Sequence, residues 1–160
     1  MTIRTATMND LNAITAVEAE CFPAAEAASR EEFSKRLTYY NDHFWLMFDE
    51  DKLIAFVDGF VTDEETLTDE MFHDASLHNP NGAWQMIFGL NTMPAYRNRG
   101  VGGQLIEAFI ELAKQENRKG VILTCKEEKI HYYAKFGFVN EGESVSDHGG
   151  AKWDQMRVVF

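Results

Sequence analysis

The run Arg97-Asn98-Arg99-Gly100-Val101-Gly102-Gly103 constrains this chain more than any other stretch. An apolar segment, Trp84 to Met93, precedes it, and an amphipathic one, Val101 to Ala113, follows. Strand, glycine-rich turn and helix in that order build a site for an anion. The first N–H groups of a helix have no partner inside it, and the helix dipole favours negative charge there. Glycines allow close approach of a phosphate to the backbone, and Arg97 and Arg99 add positive charge. A P-loop requires a Lys-Ser or Lys-Thr pair after the glycines, which is absent. A dinucleotide-binding turn requires a third glycine where Leu105 stands. What remains is Arg97-x-x-Gly100-x-Gly102.

The flanking segments extend this pattern into an alternating α/β order. Ile3 to Ala6 reads as a first strand. Leu11, Ile14, Ala16, Val17 and Cys21 recur at near-helical spacing until Pro23 interrupts them. Ser29-Arg30-Glu31-Glu32 fits a capping box, which predicts a helix from there to about Tyr40. Phe44 to Phe48 and Leu53 to Val61 read as strands joined by the turn Asp49-Glu50-Asp51-Lys52. The acidic stretch Thr62 to His78 reads as an insertion with a helix near Glu64 to Phe72, ending at the turn Asn79-Pro80-Asn81-Gly82. Such an insertion is either a solvated loop or a cover over a binding site. Trp84 to Thr92 and Val121 to Thr124 are further strands around a long helix whose apolar face is Val101, Leu105, Ala108, Phe109 and Leu112. A short helix, Ile130 to Phe136, stops at Gly137, and Phe138 to Asn140 and Lys152 to Phe160 close the order. With 160 residues, the whole chain, 1–160, is expected to form a single domain.

Composition narrows the partners. A formal net charge of -11 argues against general nucleic-acid binding. No apolar run approaches the ~20 residues that span a bilayer. The opening Met1-Thr2-Ile3-Arg4 lacks the apolar core of a secretory signal. Cys21 and Cys125 are the two cysteines, without metal-ligand spacing, so no metal is expected and reduced thiols in the cytoplasm are.

A second motif lies downstream of the glycine turn: His131-Tyr132-Tyr133-Ala134-Lys135-Phe136-Gly137-Phe138. Together the two segments resemble the GNAT superfamily of N-acetyltransferases, whose Q/R-x-x-G-x-G/A turn and aromatic-Tyr-x-x-x-Gly-Phe segment occur in this order. The resemblance covers the chain from about Trp84 to the C-terminus. It implies the GNAT fold, a twisted mixed sheet of six or seven strands with helices on both faces. It also implies acetyl-CoA as cosubstrate and a small-molecule amine as acceptor, and it allows a homodimer. Peptide acetylation and a non-catalytic acyl-CoA-binding module are the other readings.

Carried over by position, the resemblance assigns the pantetheine arm and thioester carbonyl to backbone groups of Leu90, Asn91 and Thr92. It assigns the pyrophosphate to Asn98, Arg99, Gly100, Val101, Gly102 and Gly103, with Arg97 and Arg99 as counter-charges. Tyr133 becomes the general acid toward the departing thiolate, since a phenol with a pKa near ~10 is protonated at neutral pH. No base is evident. Asp58 lies inside an apolar strand, where a carboxylate is costly unless it is paired or faces a cleft. Glu26 falls in the expected substrate loop, and His148 could relay a proton. The pattern is most similar to arylalkylamine N-acetyltransferases and their bacterial relatives. Met86 and Phe88, however, stand where those enzymes carry a histidine pair.

Overall fold

A computed structural model describes residues 1–160. The strands are β1 (Thr2–Thr5), β2 (Phe44–Asp49), β3 (Lys52–Asp58), β4 (Val61–Thr62), β5 (Trp84–Ile87), β6 (Gly89–Thr92), β7 (Gly120–Cys125), β8 (Val139–Glu143) and β9 (Asp154–Val159). The helices are α1 (Leu11–Cys21), α2 (Arg30–Tyr40), α3 (Asp69–His73), α4 (Val101–Gln115) and α5 (Ile130–Ala134). One sheet runs β1-β2-β3-β6 and the other β4-β5-β7-β9-β8. β5 and β7 pair in parallel, and the other pairings are antiparallel.

The expected strand Leu53 to Val61 is broken at Gly59-Phe60, and Trp84 to Thr92 is broken at Phe88. Gly59 shows why the first break needs glycine: a Cβ there would lie 1.8 Å from the Met86 carbonyl oxygen. The second break sends one extended run into both sheets. β5 pairs with β7, whereas β6 pairs with β3. β7 continues beside β9 to Cys125, so a cleft opens between β6 and β7.

The helices cover both faces, as the resemblance implies. α1 and α2 bury Leu11, Ile14, Val17, Phe33, Leu37 and Tyr40 against Phe44, Leu46 and Phe56. Val101, Leu105, Ile106, Phe109 and Ala113 of α4 pack on the opposite side with Ile54, Val57, Val121 and Leu123. Burial of a side chain such as Phe109 contributes roughly 1.5–3 kcal/mol. Ala16 is exposed and is not part of the α1 face. The capping box of α2 is complete: Glu32 N–H donates to Ser29 Oγ (3.1 Å), and Ser29 N–H donates to Glu32 Oε1 (3.0 Å).

The 62–82 insertion is not a free loop. Leu67, Met71 and Ala75 are buried in the α1/α2 core. His78 accepts the Val61 N–H at Nδ1 (3.1 Å). Burial, then the neighbouring His43, hold its pKa down to about 4. His43 itself bridges Asp42 Oδ1 (3.0 Å) and Glu116 Oε1 (2.9 Å), tying the end of α2 to the end of α4. No helix is long and apolar enough to cross a membrane.

Candidate active site

The turn before α4 has the geometry of an anion cradle. Asn98 (φ 62°) and Gly100 (φ 77°) adopt left-handed backbone conformations. Gln104 makes the first bond of the helix, its N–H donating to Gly100 O (3.1 Å). The amides from Asn98 to Gly103 make no backbone bond and remain free to donate. Arg97, Asn98, Gly100, Val101 and Gly102 border a groove of about 440 Å³ together with Leu90, Thr92 and Tyr132. A side chain at Gly102 would crowd the groove, because a Cβ there would lie 3.0 Å from the Tyr132 hydroxyl and 3.4 Å from Thr92 Oγ1.

The side chains around this groove have structural contacts of their own. Val101 is buried in the core, so only its backbone can serve. Arg97 braces the end of β6, with Nε donating to Thr92 O (3.0 Å). The Arg99 guanidinium lies 5.3 Å from the centre of the Tyr96 ring. Gly103 packs under Phe136, where a Cβ would approach the ring to 3.1 Å. Asn91 is a correction. Met93 N–H donates to Ile54 O (2.8 Å), and alternation along an antiparallel ladder gives the Asn91 backbone to Phe56. The same alternation turns Leu90 and Thr92 backbone groups outward, toward the cleft.

A second cavity of about 260 Å³ continues from the groove. Leu90, Tyr133, Cys21, Phe22 and Lys129 line both. Tyr133, on α5, therefore stands at the junction. Its ring packs edge-on against Tyr132 (5.2 Å) and Phe138 (6.1 Å). Burial pushes its phenol well above the ordinary range, so it carries its proton at neutral pH.

The walls of the second cavity come from elements distant in sequence. Phe88 from the strand break, Phe72 from α3, Phe22 after α1 and Trp153 before β9 supply aromatic surface. His148 stacks on Phe72 at 4.8 Å with planes 9° apart. Its Nε2 lies 2.7 Å from Glu26 O, and a carbonyl only accepts, so Nε2 carries a proton. Glu26 is paired with Lys126 at 2.9 Å. Glu26 and His148, expected from sequence, are thus brought together on one wall. Asp69 of α3 holds the His148 loop by accepting from Ser146 Oγ and from Asp147 N–H (3.2 Å). The insertion therefore builds part of the cavity wall.

Asp58 is a second correction. It does not open onto the cleft but is 1% exposed, accepting from Arg36 (3.1 Å) and the Tyr40 hydroxyl (2.9 Å) at one oxygen. Burial raises its pKa, and Arg36 opposes that rise. Arg36 NH2 also donates to Phe72 O (3.0 Å), which connects this pair to the cavity wall.

Sequence reasoning missed Glu18 and Arg36, both of which line the cavity. Glu18 is 7% exposed, and its Oε2 accepts the Ala28 N–H (2.9 Å). Burial pushes its pKa up to about 7, with Asp58 adding to the rise and the Ala28 N–H, Arg36 and the nearby Asn91 amide opposing it. A signal was present. Glu18 follows Ile14 by four residues and Leu11 by seven, so it lies on the apolar stripe of α1. Arg36 follows Phe33 by three residues and precedes Tyr40 by four, so it lies on the apolar stripe of α2. Cys125, in contrast, is buried filler whose thiol burial pushes up to about 12.

A split sheet with a glycine-turn helix at the split and a tyrosine facing it defines an acyl-transfer class of fold and site. Residues 11–138 match the model of the acetyltransferase (GNAT) family, and the chain belongs to that family. It is 28% identical to serotonin N-acetyltransferase of Mesocricetus auratus over 111 residues, 69% of this chain and 52% of that protein. It is 44% identical to a probable glucosamine 6-phosphate N-acetyltransferase of Oryza sativa subsp. japonica over 52 residues, 32% of this chain and 31% of that one. The chain thus spans about half the length of the first of these relatives and less of the second. Among solved structures, the GNAT-like decarboxylase GphF in complex with isobutyryl-CoA superposes with a TM-score of 0.86 at 22% identity, covering 99% of each chain.

Proposed function

We propose that the chain transfers an acetyl group from acetyl-CoA to the primary amine of a small molecule in the cytoplasm. The observation that carries this reading is the junction at Leu90 and Tyr133, where a groove bordered by the glycine turn meets a second cavity with aromatic walls. The groove suits a long phosphorylated cosubstrate. The free amides from Asn98 to Gly103 would hold its pyrophosphate, and outward backbone groups of Leu90 and Thr92 its pantetheine arm. Acetyl-CoA supplies the activated acyl carbon when bound. Tyr133, at the junction and protonated at neutral pH, would donate a hydrogen bond to the sulfur of a bound thioester as charge develops. Two reactants held on either side of the junction gain most of their acceleration from position.

The wall built by Phe72, His148 and Trp153 favours a compact acceptor over a peptide, which needs an open groove. Release of thiol from acetyl-CoA over a panel of small amines and short peptides, with CoA binding measured in parallel, tests the reading. Turnover with a small amine is expected. Turnover only with peptides would replace the acceptor class. CoA binding without any turnover would replace the enzyme by a sensing module. Sedimentation of the same preparation reads the homodimer that the family resemblance allows.

A further inference from the structure

We infer that Glu18 is the group that takes the proton from the acceptor amine, at a polar niche above Gly89. The inference rests on the acetyl-transfer reading and supplies the base that the motifs lack. Gly89 begins β6 directly after the strand break and lines the cavity one residue before Leu90. A Cβ at Gly89 would lie 3.4 Å from Asn91 Nδ2, 3.5 Å from Asp58 Oδ1 and 3.9 Å from Glu18 Oε1. Three polar side chains from β6, β3 and α1 therefore pack around Gly89, and of the three Glu18 lines the cavity. Asp58 Oδ1, both polar atoms of the Asn91 amide and Arg36 Nε are buried without a hydrogen-bond partner. Such groups are costly unless something polar joins them; of these four atoms Asp58 Oδ1 and Asn91 Oδ1 are acceptors, which an amine N–H can meet.

Glu18 differs from Glu26 and Glu32, which line the same cavity, and from the buried Asp58 behind it. Glu26 is engaged by Lys126 and Glu32 by Ser29 N–H and His73. Asp58 is held by Arg36 and Tyr40. Glu18 keeps Oε1 toward Gly89 while Oε2 is fixed by Ala28 N–H. The charged or titratable groups around it are Asp58 on β3, Arg36, Tyr40 and Glu32 on α2, and Cys21 on its own helix. With an affinity for protons near neutrality, it can accept one from an ammonium and return it to solvent between turnovers. The balance is complete. An ammonium N–H bond breaks and its proton joins Glu18 Oε1. The freed lone pair forms the N–C bond to the acetyl carbon as the C–S bond breaks. The sulfur gains a proton from Tyr133, the nitrogen's surplus proton returns to the Tyr133 oxygen through water, and the proton held by Glu18 leaves to solvent as the one net proton released.

A matched pair of probes separates this role from a structural one. Benzylamine is an ammonium at neutral pH, whereas O-benzylhydroxylamine is already neutral. Glu18→Gln can still accept the Ala28 N–H and should fold. It is expected to lower kcat for benzylamine about 100-fold at pH 7, to lower kcat for O-benzylhydroxylamine less than about threefold, and to leave KM for acetyl-CoA unchanged. The acid limb of the wild-type profile, centred near neutrality, should vanish in the variant. Gly89→Ala, which narrows the niche, should raise KM for benzylamine. Equal losses for the two probes, or an acid limb that survives in Glu18→Gln, would overturn the assignment. Proton release when benzylamine binds the CoA-loaded protein, read by calorimetry in two buffers, is a second measure. If the wild type acetylates neither probe but releases a proton that Glu18→Gln does not, acetyl transfer fails and Glu18 still contacts the amine. If that release is also absent or unchanged in the variant, Glu18 is excluded.

Discussion

Buried Glu18 and half-buried His78 both sit where charge is disfavoured, and they act on stability in opposite directions. The Glu18 pKa is raised on folding from its ordinary value near 4.5 to about 7. The folded state then holds more protons than the unfolded one between those values, so this contribution falls as pH rises through about 7. His78 is depressed from about 6.5 to about 4, so its contribution is present above about 6.5 and is lost as pH falls through about 4. Glu18→Gln should therefore stabilise the protein at pH 8, by up to about 3 kcal/mol if the whole shift is recovered, and much less at pH 4. Urea unfolding at the two pH values measures the difference. Tyr133→Phe should leave stability and CoA affinity nearly unchanged while lowering turnover about 10- to 100-fold, in steady-state and binding assays on one preparation. Because the Tyr133 phenol is raised by burial, the wild-type rate should show no fall from its ionisation up to about pH 10. Arg36→Leu leaves the Asp58 carboxylate buried without its cation and should cost roughly 3–5 kcal/mol, measured by the same unfolding experiment.

At the scale of elements, the insertion decides the shape of the acceptor cavity. α3 contributes Phe72 to the wall and Asp69 to the anchoring of the His148 loop. Phe72→Ala should raise KM for the amine about tenfold, with KM for acetyl-CoA unchanged and a loss of about 1–3 kcal/mol in stability. Steady-state kinetics varying each substrate in turn distinguish the two effects. α1, α2 and α4 were legible because caps, proline and apolar spacing agree locally: Ser29 and Glu32 start α2, and Pro23 follows α1. The insertion was not legible, because its acidic surface residues outnumber the few apolar anchors, Leu67, Met71 and Ala75. Those anchors matter only through partners far along the chain. The breaks at Gly59 and Phe88 were hidden for the same reason. Both sit inside continuous apolar runs, and what separates them is the crossing of backbones at Met86.

For the whole molecule, the site divides into a part written locally and a part written by topology. The turn from Arg97 to Gly103 and the Tyr133 segment are contiguous, so their spacing in sequence is their spacing in space. Glu18, Arg36, Gly89 and His148 meet only after the sheets form, and no short pattern joins them. Asp58 stood out correctly as an anomalous carboxylate, but its meaning lay in Arg36 and Tyr40, which reach it from another helix.

The separation of β6 from β7 has a mechanical corollary. Adjacent strands usually share a ladder of rungs, and here two neighbouring strands lack one, so the protein has a fault line through its middle. A cosubstrate lying along that line would replace the missing rungs and join the halves. CoA at about 100 times its dissociation constant should then add about 2.7 kcal/mol to the folded state. The added protection should not be uniform. Amide exchange should slow most at Leu90, Thr92 and the first turn of α4, on the lips of the fault, and hardly at all in β1 or β2.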